Sequence, residues 1–429
     1  MLHAIHANSK AAAAFRPQTA RPQDSEGALS VLPGAPATGL VGRIELVTDS
    51  NELQPALMEA VHEAKTSIKV DFHMLKGAQG QELARQLARR ARQGLRVQVL
   101  AFGAATPALT EAIKVARSQG LAVRLGGEAA AANPVGRFMV VDDRLALITS
   151  LHAPARTRHA RRGMLRLSGE AAGELGRQFN HDWAAAGGQP LPMLDVAALA
   201  RAATYETLST VQVGGHGPHR RAAKALVMTA LLRAQRSIEV MIDVIDDAEV
   251  LDALTAAQAR GVAVKVLLSG HMALERHGFM SLGRPDGQAR AIAALTRAGV
   301  AVRRFHVNGQ PQSVELRYAL VDGETLLFGS MPWTRAGFGS AGEVMVEARG
   351  GRELLAIRAG FRHDWDNGHA VAAPSGLARV AAETAPAIAE LSRVIGQFNP
   401  TPRVRSLMAL EVGVMKVPGG KWKLVADAR

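Results

Sequence analysis

Two spacings of apolar residues alternate along the chain from Gly42 onward. IELVTD (44–49), SIKVDFHML (67–75) and LRVQVLAF (95–102) are short runs rich in β-branched and apolar residues, the pattern of buried strands. Between them, LQPALMEAVHEAK (53–65) places Leu53, Leu57 and Val61 on one helical face, and ELARQLARRARQG (82–94) is a helix closed by Gly94. Strands that alternate with helices of this length predict an α/β fold with a largely parallel sheet flanked by helices.

The pattern then recurs. ALLRAQRSIEVMID (230–243) echoes AVHEAKTSIKVDFH (60–73), and ARGVAVKVLLSG (259–270) echoes ARQGLRVQVLAFG (91–103). LRYALVDGETLLFGS (316–330) echoes GRFMVVDDRLALITS (136–150), and FRHDWDNG (361–368) echoes FNHDWAAAG (179–187). The register runs from Ile68 to Ile238, from Arg137 to Arg317 and from Trp183 to Trp365, with an insertion around HMALERHGFMSLGRPDGQ (271–288). A repeat this long is a duplicated domain pair, because solenoid units run only about 20–50 residues. The expected layout is a disordered tail (1–40), a first half (41–186), a linker and entry (187–222), a second half (223–368), and a C-terminal helix with a basic tail (369–429).

Composition narrows the chemistry. The chain is 48% apolar and 21% charged, as a folded soluble protein is, and it has no cysteine, which excludes disulfides, thiolate metal sites and cysteine nucleophiles. A net charge of +13 suits a polyanionic partner: a phosphorylated small molecule, an anionic membrane surface or nucleic acid. Aromatics at 4% argue against base-stacking platforms. No stretch approaches the roughly 20 apolar residues of a membrane span. The N-terminus lacks a compact apolar leader, so the expected location is cytoplasmic or peripheral to a membrane, with an export leader of another kind left open. Arginines 85, 89, 90 and 92 and the run RTRHARRG (156–163) read as a solvated face or as a basic surface for phosphates.

The repeated segment carries the candidate chemistry. In the first half it reads Val135-Gly136-Arg137, then Asp142, then Thr149-Ser150 and His152. In the second half it reads Glu315-Leu316-Arg317, then Asp322, then Gly329-Ser330 and Pro332. This duplicated spacing resembles that of the phospholipase D superfamily, H-x-K-x4-D-x6-G-S-x-N, and the resemblance extends over residues 42–368 through the repeated A-x-x-S-I segments and the D-W that closes each half. It implies two pseudo-symmetric α/β halves with the site at their interface, in an architecture similar to that of cardiolipin synthases.

In that family one histidine attacks phosphorus and the other protonates the leaving alcohol, while lysines and serines hold the phosphoryl oxygens. Carried over, Arg137, Ser150, Arg317 and Ser330 stand at phosphate-binding positions, and Asp142, Asp322 and Glu343 at supporting ones. Glu343 lies about 28 residues beyond the motif histidine position, where the family has a glutamate that orients the ring. The same offset in the first half falls on Gly163.

Both histidine positions are changed, to Val135 and Glu315. Valine can neither form a phosphoryl adduct nor carry a proton. Losing both acid–base groups should therefore remove turnover by the family mechanism. His152 and His306 are the possible surrogates, whereas His181 and His363 recur in register and read as packing or capping residues.

No cofactor is implied, and metal binding has little support because no H-x-x-x-H or similar pair occurs near His181 or His363. The leading expectation is a degenerate site that binds a phosphodiester, a phospholipid headgroup or a partner. An active phosphatidyltransferase using a substitute histidine and a nuclease-branch protein that binds nucleic acid are the alternatives.

Overall fold

The computed structural model describes residues 37–75, 77–102, 107–126, 138–149, 160–193, 209–215, 220–270, 287–339, 344–350, 353–371, 411–416 and 422–427. The first half contains β1 (Ala37–Gly42), β2 (Ile44–Val47), α1 (Ser50–Glu63), β3 (Ser67–Asp71), α2 (Gly77–Arg92), β4 (Arg96–Phe102), α3 (Pro107–Ser118) and β5 (Ala122–Gly126). It continues through β6 (Phe138–Val141), β7 (Leu145–Thr149), β8 (Met164–Ser168) and α4 (Glu170–Ala185). The second half runs β9 (Ser209–Gly215), α5 (Arg220–Arg233), β10 (Ser237–Ile242), α6 (Ala248–Ala259), β11 (Ala263–Leu268), α7 (Gly287–Arg297) and β12 (Ala301–Arg304). Next come β13 (His306–Val307), β14 (Gln310–Pro311), β15 (Tyr318–Val321), β16 (Thr325–Gly329), α8 (Arg335–Gly339), β17 (Val344–Arg349), α9 (Glu353–Asp366) and β18 (His369–Ala370). A separate hairpin, β19 (Glu411–Lys416) with β20 (Trp422–Asp427), falls in the tail that the sequence left unassigned.

Strand order demonstrates the duplication. The first sheet is β2-β8-β7-β6-β3-β4-β5, and the second contains the corresponding order β9-β17-β16-β15-β10-β11-β12, extended by β1 at one edge and β18 at the other. Among the described strands of these two sheets, only β3-β4-β5 and β10-β11-β12 pair in parallel, and the other strand pairings are antiparallel. The sheets are therefore mixed, which corrects the expectation of a largely parallel sheet.

The reason lies in VVDDR and LVDGE. Arg144 N–H donates to Val141 O at 3.0 Å and Glu324 N–H to Val321 O at 3.1 Å, each closing a tight turn. The central residues all have positive φ: Asp142 at 53°, Asp143 at 55°, Asp322 at 55° and Gly323 at 72°. Turns of that hand match the twist of antiparallel strands, so β6-β7 and β15-β16 form hairpins.

Three apolar clusters hold the fold. Leu53, Leu57, Val61, Leu83 and Leu87 from α1 and α2 cover one face of the first sheet, and Leu226, Val227, Leu231, Val250 and Leu254 from α5 and α6 do the same for the second. The third cluster joins the halves and is built around α4 and α9. In both helices an aromatic pair four residues apart stacks, Phe179 on Trp183 at 6.1 Å and Phe361 on Trp365 at 5.9 Å, each meeting a strand aromatic edge-on (Phe138 and Tyr318). The repeated F-x-x-D-W pattern is thus the inner layer of the molecule.

Two boundaries differ from those read in the sequence. The expected tail of 1–40 gives way to strand at Ala37, because β1 pairs antiparallel with β9 of the other half, Val41 opposite Thr210. The expected entry segment, 187–222, already contains β9, which pairs with β17. The helix expected after Pro374 lies outside the described residues.

Candidate functional site

Of the repeated motif, the first half contributes Asp142 and Thr149 to the described residues, and the second half contributes Glu315, Arg317, Asp322, Gly329 and Ser330. Val135, Arg137, Ser150, His152 and Glu343 lie outside the described residues. Glu315, Arg317 and Ser330 are all buried, at 8%, 3% and 1% exposure, where β15 begins and β16 ends.

Arg317, at the family's lysine position, grips Asp243 with both prongs of its fork: Nε donates to Oδ1 at 2.7 Å and Nη2 to Oδ2 at 2.7 Å. Its Nη1 donates to the backbone oxygen of Ser330 at 2.5 Å. Asp243 directly follows β10, which pairs antiparallel with β15, so adjacent strands bring the two charges together. Such a bidentate pair satisfies the guanidinium geometry that a phosphate would otherwise occupy. Arg317 as a phosphate ligand would have to exchange Asp243 for the incoming anion.

Glu315 stands at the histidine position and is held from the other half. Arg162 Nε donates to Glu315 Oε2 at 3.0 Å, with both side chains about nine-tenths buried. The backbone aligns them: Glu315 and Leu316 N–H donate to Arg161 O, and Arg161 N–H to Ser313 O. Gly163 follows, its α-carbon facing the Leu316 side chain where the family would carry a glutamate.

Ser330 is tied into the sheet, its Oγ accepting from Val344 N–H at 3.2 Å and its N–H donating to Val344 O at 3.1 Å. Gly329 keeps the motif glycine for a physical reason, since a Cβ there would lie 2.3 Å from Val344 O. Thr149 occupies the equivalent position in the first half and is buried.

The two motif aspartates sit at the far end of the hairpin strands. Asp142 accepts the N–H groups of Lys65, Thr66 and Ser67 and the Thr66 hydroxyl, and Asp322 accepts those of Gln235, Arg236 and Ser237. Burial pushes both carboxyls up, but these hydrogen bonds outweigh it and hold them below the usual carboxylate range. Each ties the helix-to-strand connection of its half to the hairpin turn.

His306 does not refill the motif position. Its Nδ1 faces Arg304 O at 2.9 Å, its ring meets His369 edge-on at 3.8 Å, and it lines a cavity that none of Glu315, Arg317 or Ser330 reaches. His181 is exposed beside Asp182, whereas His363 lines that same cavity.

Sequence reasoning missed three groups. Asp243 stands in register with His73 in the repeat, a detectable difference between the halves. Arg161 and Arg162, read as part of a basic surface, instead bind carboxylates of the other half, Asp364 at 2.7 Å and Glu315 at 3.0 Å. Burial pushes the Asp364 carboxyl up, against the pull of Arg161. Lys69 is fully buried on β3, with Nζ 2.5 Å from Asp143 and 3.4 Å from Met193 Sδ. Burial lowers the Lys69 pKa against the pull of that carboxylate.

Among the described residues no group of three or more histidine, cysteine or acidic side chains could hold a metal ion, and no helix is long and apolar enough to cross a membrane.

Residues 227–365 match the family described as "Cardiolipin synthase, PLD-like domain". The "Mitochondrial cardiolipin hydrolase" of Xenopus tropicalis is 31% identical over 117 residues, 27% of this chain and 49% of that protein. The Xenopus laevis protein of the same name is 31% identical over 123 residues, 29% and 51% of the respective lengths. The chain thus spans about half the length of the curated relatives it matches. The crystal structure of phosphatidylserine synthase from Haemophilus influenzae superposes with a TM-score of 0.60 at 13% identity, covering 83% of this chain and 96% of that one, which shows a shared fold. Residues 227–365 are thus similar to a phospholipase D-like domain, and the paired sheets repeat the same strand order in both halves.

Proposed function

We propose that this phospholipase D-like protein has a degenerate site, non-catalytic or strongly attenuated, that binds a phosphodiester or phospholipid headgroup at an anionic membrane surface rather than cleaving it. The observation that carries this reading is the internal neutralisation of the second half-site: Glu315 is held by Arg162 and Arg317 by Asp243. A phosphoryl-transfer centre needs a nucleophile and uncompensated cations or donors where charge develops. Here a carboxylate stands in place of the imidazole, and Arg162 and Arg317 each already have an anion.

The residues at the phosphate-binding positions, Arg137, Ser150, Arg317 and Ser330, and the supporting Asp142, Asp322 and Glu343 keep the roles assigned from the family pattern as part of this proposal. The names of the Xenopus relatives favour a lipid over nucleic acid as the polyanion. A location in the cytoplasm or peripheral to a membrane follows from the same reading.

The test is turnover by purified protein of bis(p-nitrophenyl) phosphate and of cardiolipin in vesicles. The expected rate equals that of buffer, while the protein co-sediments with anionic vesicles and not with neutral ones. Turnover that disappears in Arg317→Ala would overturn the proposal. Binding to DNA with a steep salt dependence, and none to vesicles, would move it to the nuclease branch.

A further inference from the structure

The arginines of α2 take part neither in the motif cleft nor in the contacts of Arg161 and Arg162. Arg85, Arg89 and Arg92 recur at intervals of four and three, so they form one stripe along the helix, and Arg96 follows just beyond its end. All four are exposed, whereas Leu83 and Leu87 of the same helix are buried. Lys65, also exposed, lies beside Arg96, whose N–H donates to Thr66 O at 3.2 Å.

The duplication shows that the fold needs none of these charges. α2 and α6 end in the same turn: Leu95 N–H donates to Arg90 O and Val262 N–H to Ala257 O, both at 3.1 Å, next to Gly94 at φ 93° and Gly261 at φ 90°. With these turns aligned, Leu83 and Leu87 match Val250 and Leu254 in the core. Arg85, Arg89, Arg92 and Arg96 match Asp252, Ala256, Ala259 and Ala263, which are exposed as well. Lys65 matches Gln235, since their N–H groups donate to Asp142 and Asp322 at equivalent places. Alanine is the stronger helix former, so helix stability does not account for arginine at 89 and 92.

Most of the charge is uncommitted. Glu82 holds Arg85, and the Asp142 carboxylate is taken up by N–H groups of residues 65–67. Lys65, Arg89, Arg92 and Arg96 make no ion pair among the described residues. Arg236, by contrast, is a cation at the equivalent end of the second sheet and is engaged by Glu324.

Seven residues at 1.5 Å each place Arg85 and Arg92 about 10 Å apart along the helix axis. A screening length of about 8 Å lets such neighbours act together on one anionic surface. A cationic stripe on an amphipathic helix suits a plane of charged headgroups, and α2 carries no aromatic side chain on which a base could stack. We infer that the exposed face of α2, with Lys65 and Arg96, is the surface by which the chain docks on anionic lipid. This inference rests on the lipid reading above and places the docking on the first half, apart from the motif residues of the second.

The experiment is co-sedimentation of the full chain with vesicles of equimolar phosphatidylglycerol and phosphatidylcholine, and with phosphatidylcholine alone, for wild type and three double variants. Arg89→Ala with Arg92→Ala installs the residues of α6, so the melting midpoint should match wild type. Its partitioning onto the anionic vesicles should fall roughly 25-fold, about fivefold for each arginine. Arg89→Lys with Arg92→Lys keeps the charge and should stay within about twofold of wild type. Arg233→Ala with Arg362→Ala removes the same charge from exposed positions of the second half and should also stay within about twofold.

Anionic-vesicle binding that survives in the Arg89/Arg92 alanine variant would overturn the inference and leave the lipid reading standing. An equal loss in the Arg233/Arg362 variant would do the same, because net charge alone would then explain the binding. Wild-type protein that ignores anionic vesicles would overturn both. Duplex DNA binding that the alanine variant loses, with vesicle binding unchanged, would assign the face to nucleic acid and sink the inference as well.

Discussion

Replacing Glu315 by alanine tests the reading of the motif cleft most directly, because it strands Arg162 in a site that is nine-tenths closed to water. At 3.0 Å separation the Coulomb attraction is about 5 kcal/mol at an effective dielectric constant near 20, before desolvation is subtracted. Breaking such a buried pair by removing one partner costs about 3–5 kcal/mol, whereas replacing both partners with apolar side chains of similar volume is near neutral or stabilising. With a urea m-value near ~3 kcal/mol/M for a chain of this size, Glu315→Ala should lower the unfolding midpoint by about 1–1.7 M.

Glu315→Leu combined with Arg162→Met should return it to within about 0.5 M of wild type. The assay is urea unfolding followed by tryptophan fluorescence, since Trp183 reports on the first half and Trp333 and Trp365 on the second. If the double variant loses as much as the two single variants together, the pair is not coupled and Glu315 is not there to hold Arg162. The cleft would then have to be reconsidered as a site with an available carboxylate.

Other outcomes follow from the same geometry. Asp142→Ala should cost about 2–4 kcal/mol, because three backbone N–H groups and a hydroxyl lose a charged acceptor, and melting curves check it. The depressed pKa values of Asp142 and Asp322 mean that both carboxylates stabilise the fold above the unfolded value of about 3.9 and lose that contribution as pH falls through their folded values. Asp142→Asn with Asp322→Asn should therefore flatten the acid limb of a stability–pH profile, and an unchanged limb would contradict the assignment. Lys69→Met alone should destabilise by roughly 3–5 kcal/mol by leaving Asp143 buried and unanswered, while Lys69→Met with Asp143→Leu should recover most of the loss in the same urea experiment.

Much of the fold was legible because the chain states it twice. The A-x-x-S-I segments, the VDD and VDG turns and the F-x-x-D-W helices each have a partner in register, so a weak local signal became a strong global one. Strand direction was not legible from alternation alone, since β6-β7-β8 and β15-β16-β17 are antiparallel runs inside an α/β pattern, and only the positive-φ turns reveal them. At the site, the loss of both histidines is a property of the sequence. The partners of Arg317 and Glu315 are not, because Asp243 and Arg162 lie 74 and 153 residues away in the chain and become neighbours only through strand pairing and the packing of the halves. A string of arginines near residue 160 has the same composition whether it faces water or grips carboxylates.

The single residue between β1 and β2 bears on how the protein is made. Only Arg43 separates a strand of the second sheet from a strand of the first. The partner of β1 is β9, so Ala37 must wait for Val213 to be synthesised before it can be placed. The first of the described strands to be synthesised is thus among the last of them to find its position, and closing that long loop is a slow, entropically costly step. Until then the growing chain carries an unpaired edge, which makes the interval after the first half is synthesised the time of greatest exposure to aggregation and chaperone capture.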